Sequence, residues 1–275
     1  MAIDKPRNIA YNLSPIAGID IHCHLDHPFF EKDLDQVLER AKDMIVVTCG
    51  ISPKSNRICL DLAKKHKNVK AALGIYPPDQ LKAELESGDL DWGIEEFDVD
   101  EELKWIEEQL QDPEVVAISE IGLDYSLGEK TDKENQKKLF QKFLDLAKRT
   151  DKPIIVHSRK AEADVIDMME KAGLKKVVMH CFCGKKKLVK RCQDNGWYFS
   201  IPANVVRAQN FQQIVETSDI NKLLTETDAP YLSPFKEKKN EPSFVIETIK
   251  KIAEIKDMLP EEVENVIHKN YLDLI

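Results

Sequence analysis

The chain has 275 residues, 42% of them hydrophobic and 32% charged, with a formal net charge of −9 at pH 7. That length suits one large domain or two small ones, and the acidic balance excludes a protein that grips nucleic acid over a broad basic face. No apolar run approaches the ~18 residues that span a bilayer, and the opening "MAIDKPRNIAYNLSP" lacks the basic start and apolar stretch of a secretory signal. A cytoplasmic protein with no membrane association is expected, and its six cysteines are then reduced core thiols. Cys181 and Cys183, one residue apart, do not match the spacing of a zinc ribbon.

Taken in chain order, short β-branched runs alternate with amphipathic stretches. The first strand, Ile19–Cys23, leads into "IDIHCHLDH" (Ile19–His27), which holds three of the seven histidines. Alternate side chains of a strand share a face, so His22 and His24 point inward while Cys23 points away. The segment "EKDLDQVLERAKD" follows with helical spacing of its apolar residues. The second and third strands are read at Met44–Cys49 and Val69–Gly74, and the long insertion Tyr76–Asp98 after the third is assigned to the active-site face. A fourth strand, Val115–Ile121, carries Glu120 near its end and precedes the helical pattern "KENQKKLFQKFLDLAKRT". The remaining strands are Ile154–His157, Val177–His180, Trp197–Ile201 and Lys222–Thr225, with Asp228 just beyond the last.

Strand then helix, repeated, implies a parallel sheet with its helices outside. Eight repeats in roughly the ~250 residues typical of such barrels predict an α/β fold, a (β/α)8 TIM barrel, with residues 1–275 as a single domain. The competing open doubly wound sheet would often carry a glycine-rich turn after its first strand. Here "GIDIHCHLDH" stands in that place, and no Pro- or Ser-rich linker divides the chain.

In a barrel of this kind function lies at the C-terminal ends of the strands. The ionisable residues there are His22, His24, Glu120, His157, His180 and Asp228. Each has a structural explanation when taken alone. His180 could be a hydrogen-bonded strand end, Glu120 a helix cap or a partner of Arg159, and Asp228 a turn residue before Pro230. Together they occupy the ends of five strands that the fold brings to one rim, so coincidence is the weaker account. Imidazole with carboxylate suits Zn²⁺ or Mn²⁺, and carboxylate-rich variants take Mg²⁺. Four histidines and two acids exceed the needs of one four-coordinate ion and suit a pair bridged by an acid. His66 and His268 lie in charged helical segments and are expected at the surface, and His27 is expected just outside the ligands. The lysine clusters "GKKKLVKR" (Gly184–Arg191) and "KEKKN" (Lys236–Asn240) read as solvated faces.

The pieces "DIHCHLD" (Asp20–Asp26), "SEIGLDY" (Ser119–Tyr125), "PIIVHSRKAEAD" (Pro153–Asp164), "HCFCG" (His180–Gly184), "LLTETDAPYLSP" (Leu223–Pro234) and "KNEPSFV" (Lys239–Val245) run in one order across nearly the whole chain. In that order the sequence resembles the TatD family of metal-dependent deoxyribonucleases, among the amidohydrolase-like barrels. The resemblance implies that His22, His24 and Asp228 hold one ion, that His157 and His180 hold a second, and that Glu120 bridges them. It implies two divalent ions, Mg²⁺ or Mn²⁺ with Zn²⁺ also accommodated, and DNA as the substrate, with no obligate protein partner. The sequence departs from the family pattern at "GIYPPD" (Gly74–Asp79), which removes polar groups from one loop, at "DYSLGEK", which lacks an arginine, at Cys183 and at "FSIPANVV" (Phe199–Val206).

On that reading the ions lower the pKa of a water toward neutrality, and Asp228 orients it as general base, with Glu120 the other catalytic carboxylate. Arg159 and the backbone of Cys181–Gly184 are expected to hold the phosphate, since guanidinium pairs well with its oxygens. Glu226 and Asp124 are expected to orient ligands. Two rival readings stand beside it. One keeps the metals but cleaves an amide, lactone or aminoacyl ester; related barrels of that type often end the fourth strand in a lysine, where this chain has Glu120. The other is a metal-binding scaffold without catalysis, which the presence of all six ligands makes the weaker.

Overall fold

A parallel sheet walled by helices is buried on both faces, so its strands should be apolar along their whole length rather than alternating. The computed structural model describes residues 18–86 and 96–275 and has this character. Its strands are β1 (Ile19–Cys23), β2 (Ile45–Cys49), β3 (Val69–Leu73), β4 (Val115–Gly122), β5 (Ile154–His157), β6 (Val177–Met179), β7 (Tyr198–Ile201) and β8 (Leu223–Thr225). All eight form one sheet in the order β1 to β8, every ladder parallel. This is the expected TIM barrel, nearly closed. Strand ends differ from the sequence reading by a residue or so, as is usual where ladders fray. One consequence matters: β6 stops at Met179, so His180 stands just past it.

The gap between the last strand and the first is bridged by specific bonds. Thr225 Oγ1 donates to the carbonyl of Ile19 (2.5 Å), Asp228 N to His22 O (2.9 Å), and His24 N to Ala229 O (2.8 Å). The buried Asp20 carboxylate accepts from Thr227 N (2.9 Å) and Thr227 Oγ1 (2.5 Å). Burial pushes that carboxyl up to about 8 in spite of these donors. The seam therefore does more than close the barrel. It draws the chain after β8 alongside β1, and so sets Asp228 beside His22 and His24.

The helices are α1 (Leu34–Arg40), α2 (Pro53–Lys65), α3 (Pro78–Glu86), α4 (Val99–Gln109), α5 (Lys133–Thr150), α6 (Glu162–Ala172), α7 (Lys186–Asp194), α8 (Gln209–Thr217), α9 (Val245–Lys256) and α10 (Pro260–Leu274). Side-chain caps, which satisfy free N–H groups of a first turn, open α2, α4 and α5. Asp98 accepts from Asp100 N and Glu101 N to open α4, and Asp132 from Asn135 N to open α5. The inward stripe of α5 buries Leu139, Phe140, Phe143, Leu144, Leu146 and Ala147; removing one such phenylalanine ring would cost about 3–5 kcal/mol. Of the long insertion after β3, α3 forms its start, while 87–95 lie outside the described residues, as does the N-terminal stretch read for a signal. No helix among the described residues is long and apolar enough to cross a membrane.

One glycine fixes how closely the sheet packs under the site. A Cβ on Gly74 would lie 2.5 Å from the carbonyl carbon of Ser119 and 2.6 Å from Glu120 N. Both atoms are backbone and cannot give way, so only glycine lets the chain after β3 lie against the end of β4 where Glu120 emerges.

Candidate metal centre

The six residues expected as ligands converge at one end of the barrel, and the Glu120 carboxylate is at their middle. Its Oε2 lies 3.7 Å from His22 Nε2 and 3.5 Å from His24 Nε2; its Oε1 lies 3.1 Å from His157 Nδ1 and 3.9 Å from His180 Nε2. Asp228 Oδ1 is 3.7 Å from His22 Nε2 and 3.6 Å from His24 Nε2. Ligands ~2.1 Å from a tetrahedral ion stand ~3.4 Å apart, so these spacings suit a cation between them. Two groups meet a ligand-like spacing among the described residues: His22, His24 and Asp228, and His22, Glu120 and His180. His157 joins through Glu120 rather than as a member of either group, and His22 takes part in both.

Each outer nitrogen tells which nitrogen faces in. A carbonyl or carboxylate only accepts, so a ring nitrogen bonded to one must carry the proton. His24 Nδ1 donates to Cys49 O (3.1 Å), His157 Nε2 to Asp124 Oδ2 (2.8 Å) and His180 Nδ1 to Glu226 Oε2 (2.8 Å). The opposite nitrogen of each ring is thereby turned to the centre, where it can ligate a cation once its own proton is lost. Asp124 is braced by the Tyr76 hydroxyl (3.0 Å) and Ser126 N (2.7 Å), and Glu226 by the Ser200 hydroxyl and Cys181 N (3.0 Å). Asp124 and Glu226 thus hold the orienting places expected of them.

His22 is the exception. It is fully buried, stacks on His180 with ring centroids 3.7 Å apart, and hydrogen-bonds through neither ring nitrogen. A buried polar group without a partner is costly, and an ion beside Nε2 would remove that cost at one of the two ring nitrogens. Electrostatics point the same way. Burial alone would depress the imidazoles of His24, His157 and His180, yet the carboxylates around them raise these to about 9, 10 and 9. Burial would likewise raise Glu120, but the His157 hydrogen bond and the ring of imidazoles hold it well below the usual carboxylate range. A site that pulls this strongly for positive charge is one that a divalent cation would occupy with release of protons.

The sequence model of the family described as TatD related DNase matches residues 19–275. The chain belongs to the TatD family. It is 36% identical over 256 residues to the uncharacterized metal-dependent hydrolase MJ1582 of Methanocaldococcus jannaschii, covering 92% of this chain and 94% of that protein. It is 32% identical over 263 residues to the human deoxyribonuclease TATDN3, covering 93% of each. Among solved structures, the TatD homologue YjjV of Escherichia coli superposes with a TM-score of 0.80 at 26% identity, over 94% of this chain and 97% of that one. The protein is thus a TatD-family metal-dependent hydrolase.

In this TatD-family chain the candidate metal centre floors a cavity of about 750 Å³. The expected phosphate contacts fare unequally there. Arg159 lines the cavity, is exposed, and has no side-chain ion pair among the described residues. Cys181 also lines it, but its N–H is taken by Glu226 and is not free for a phosphate. Gly184 is absent from the cavity wall; a Cβ there would meet the Phe182 ring at 2.3 Å, so its glycine serves packing. Glu120 neither caps a helix nor pairs with Arg159. The "GIYPPD" loop, read as stripped of polar groups, supplies the Tyr76 hydroxyl to Asp124. His268 is exposed as expected, while His66 is half-buried at the end of α2. Sequence reasoning missed Tyr76 and Ser200. Ser200 carried a signal, a small polar residue in an apolar strand, but its partner Glu226 could only be found in three dimensions.

Proposed function

We propose that the protein is a deoxyribonuclease that hydrolyses phosphodiester bonds of DNA with two divalent ions, Mg²⁺ or Mn²⁺, which Glu120 would hold together with the surrounding histidines and Asp228. The observation that carries this reading is the Glu120 carboxylate, with one oxygen toward His22 and His24 and the other toward His157 and His180. In it His22, His24 and Asp228 would hold one ion, and His157 and His180 would hold the other. Such ions lower the pKa of water and neutralise charge developing on the attacked phosphate. The chain's own residues do the rest. Cys49 O, Asp124 and Glu226 fix the proton on the outer nitrogens of His24, His157 and His180 and keep the inner ones basic. Asp228, whose side chain is 16% exposed toward the cavity, accepts the proton of the attacking water. Arg159 pairs with non-bridging phosphate oxygens. A relative that is named a deoxyribonuclease at 32% identity supports the substrate class.

The test is hydrolysis of labelled DNA alongside a panel of amides, lactones and aminoacyl esters, with Mg²⁺, Mn²⁺ or Zn²⁺ added to chelator-stripped protein. DNA should be cut only when metal is restored, and Asp228→Asn and Glu120→Ala should lose that activity with the fold retained by circular dichroism. Full-rate cleavage by stripped protein or by Asp228→Asn would overturn the mechanism. Turnover of an amide or lactone without DNA would overturn the substrate.

A further inference from the structure

Exposed apolar side chains scattered singly need no explanation, but two of them here are neither single nor loose. Phe29 (57% exposed) and Tyr231 (37% exposed) both line the cavity above the metal centre, together with His24 and Asp228. Phe29 lies in the short 3-10 turn Pro28–Phe30 that follows β1. Its N–H donates to His27 Nδ1 (3.0 Å), and its carbonyl accepts from Lys239 Nζ (2.7 Å). Tyr231 follows β8, and its N–H donates to Asp228 O (2.8 Å).

His27 ties the two together. Because its Nδ1 accepts from Phe29 N, its proton is on Nε2, which donates to the Tyr231 hydroxyl (3.1 Å). Its ring centroid is 4.5 Å from that of Phe29 and 5.6 Å from that of Tyr231, and the imidazole itself is buried. Two aromatic faces are therefore held beside the ligand Asp228 by backbone and imidazole bonds. A face fixed in advance loses little entropy when a flat ligand settles on it.

Across the barrel, four strands away from β1, the chain after β5 presents Arg159 and Lys160. Both are exposed, both line the cavity, and neither side chain has an ion pair among the described residues. The cleft thus has a side where Arg159 and Lys160 stand with one acid (Glu162), a candidate metal-binding floor and an aromatic side. An anionic ester without a flat group would leave the aromatic side idle. A nucleotide uses all three: phosphate on the floor and cations, base on the rings.

We propose that Phe29 and Tyr231 stack the nucleobase next to the scissile phosphate. It rests on the phosphodiester reading above. Stacking uses the π-face that every base has, so the wall should accept all four bases with modest preference. His27 is then a positioning residue that keeps the two rings aimed at the cleft.

The experiment uses trinucleotides in which a tetrahydrofuran abasic unit replaces each base in turn. With the metal-loaded wild-type chain, loss of the base at one position should lower kcat/KM roughly 5- to 100-fold, the range that base–aromatic stacking supports. In F29L/Y231L, which keeps apolar bulk but no aromatic face, that ratio should fall toward one. Y231F should retain most of it. A second readout needs no turnover: 2-aminopurine at the same position should be quenched on binding to metal-free wild-type protein, and much less by F29L/Y231L. An unchanged ratio in the double variant, or a wild type indifferent to base removal at every position, overturns the stacking proposal and leaves the phosphodiesterase intact. A wild type that cuts no trinucleotide but turns over other esters overturns the phosphodiester reading itself.

Discussion

On the β5–β6 side of the candidate metal centre each histidine leans on an acid, His157 on Asp124 and His180 on Glu226, each at 2.8 Å. On the β1 side His24 leans on a backbone carbonyl, and His22 hydrogen-bonds through neither ring nitrogen; its ring packs against His24 and His180 with Nε2 3.7 Å from the Glu120 and Asp228 carboxylates. A carboxylate partner strengthens an imidazole as a ligand and fixes its ring. It also buries an acid that must itself be satisfied, which here costs further donors from Tyr76, Ser126, Ser200 and Cys181. The β1 side avoids that expense. There a rigid strand and the bonded seam to β8 do the positioning, and the acid, Asp228, comes in directly as a group facing the ligand nitrogens. One half is oriented by electrostatics and the other by the backbone.

The largest effect should come from the residue that both halves share. Glu120→Gln should lower metal content on both sides and reduce activity by more than the ~100-fold that loss of an outer partner can cost. Metal analysis and steady-state kinetics would check this, and a variant that still binds two ions would remove Glu120 as the bridge. Next, Asp124→Asn and Glu226→Gln should weaken one ion by about 10- to 100-fold and leave the ion on the β1 side nearly unaffected. Isothermal titration with Mn²⁺ would separate the two sites; equal weakening of both would break the distinction between the halves.

The smallest effect concerns His27, which serves neither half as a ligand. Burial, with help from His24 and Lys239, lowers its imidazole from 6.5 to about 4. Between those values the unfolded chain binds the proton and the folded chain does not. Its contribution to stability is therefore complete above about pH 6.5 and drains away as pH falls through 4. In chelator-treated protein, His27→Gln should show a smaller drop in Tm between pH 7 and pH 4.5 than the wild type. Parallel Tm profiles of the two chains would remove that role.

Much of this was legible in the residues. Periodicity carried the eight strands because parallel strands are short, β-branched and apolar throughout, and helices between them repeat at three and four. Alternation placed His22 and His24 on one face, and the rule that barrels work at their strand ends collected Glu120, His157, His180 and Asp228. The phosphate contacts were less legible. "HCFCG" offers a backbone N–H at Cys181 on paper, but a buried acid forty-five residues later takes it. Tyr76 looked like a lost polar group because a tyrosine hydroxyl counts as polar only where its tip arrives.

The sequence by itself determined the barrel and which side chains gather at the candidate metal centre, because both follow from local pattern: strand alternation, strand order and residue type. Only the tertiary structure decided which nitrogen of each histidine faces inward, which acids stand behind them, and that Phe29 and Tyr231 share one wall through His27. Those facts depend on partners tens to hundreds of residues apart, brought within 3 Å or so by closure of the barrel. No local pattern encodes a hydrogen bond between residues 27 and 231; the seam between the first and last strands creates it.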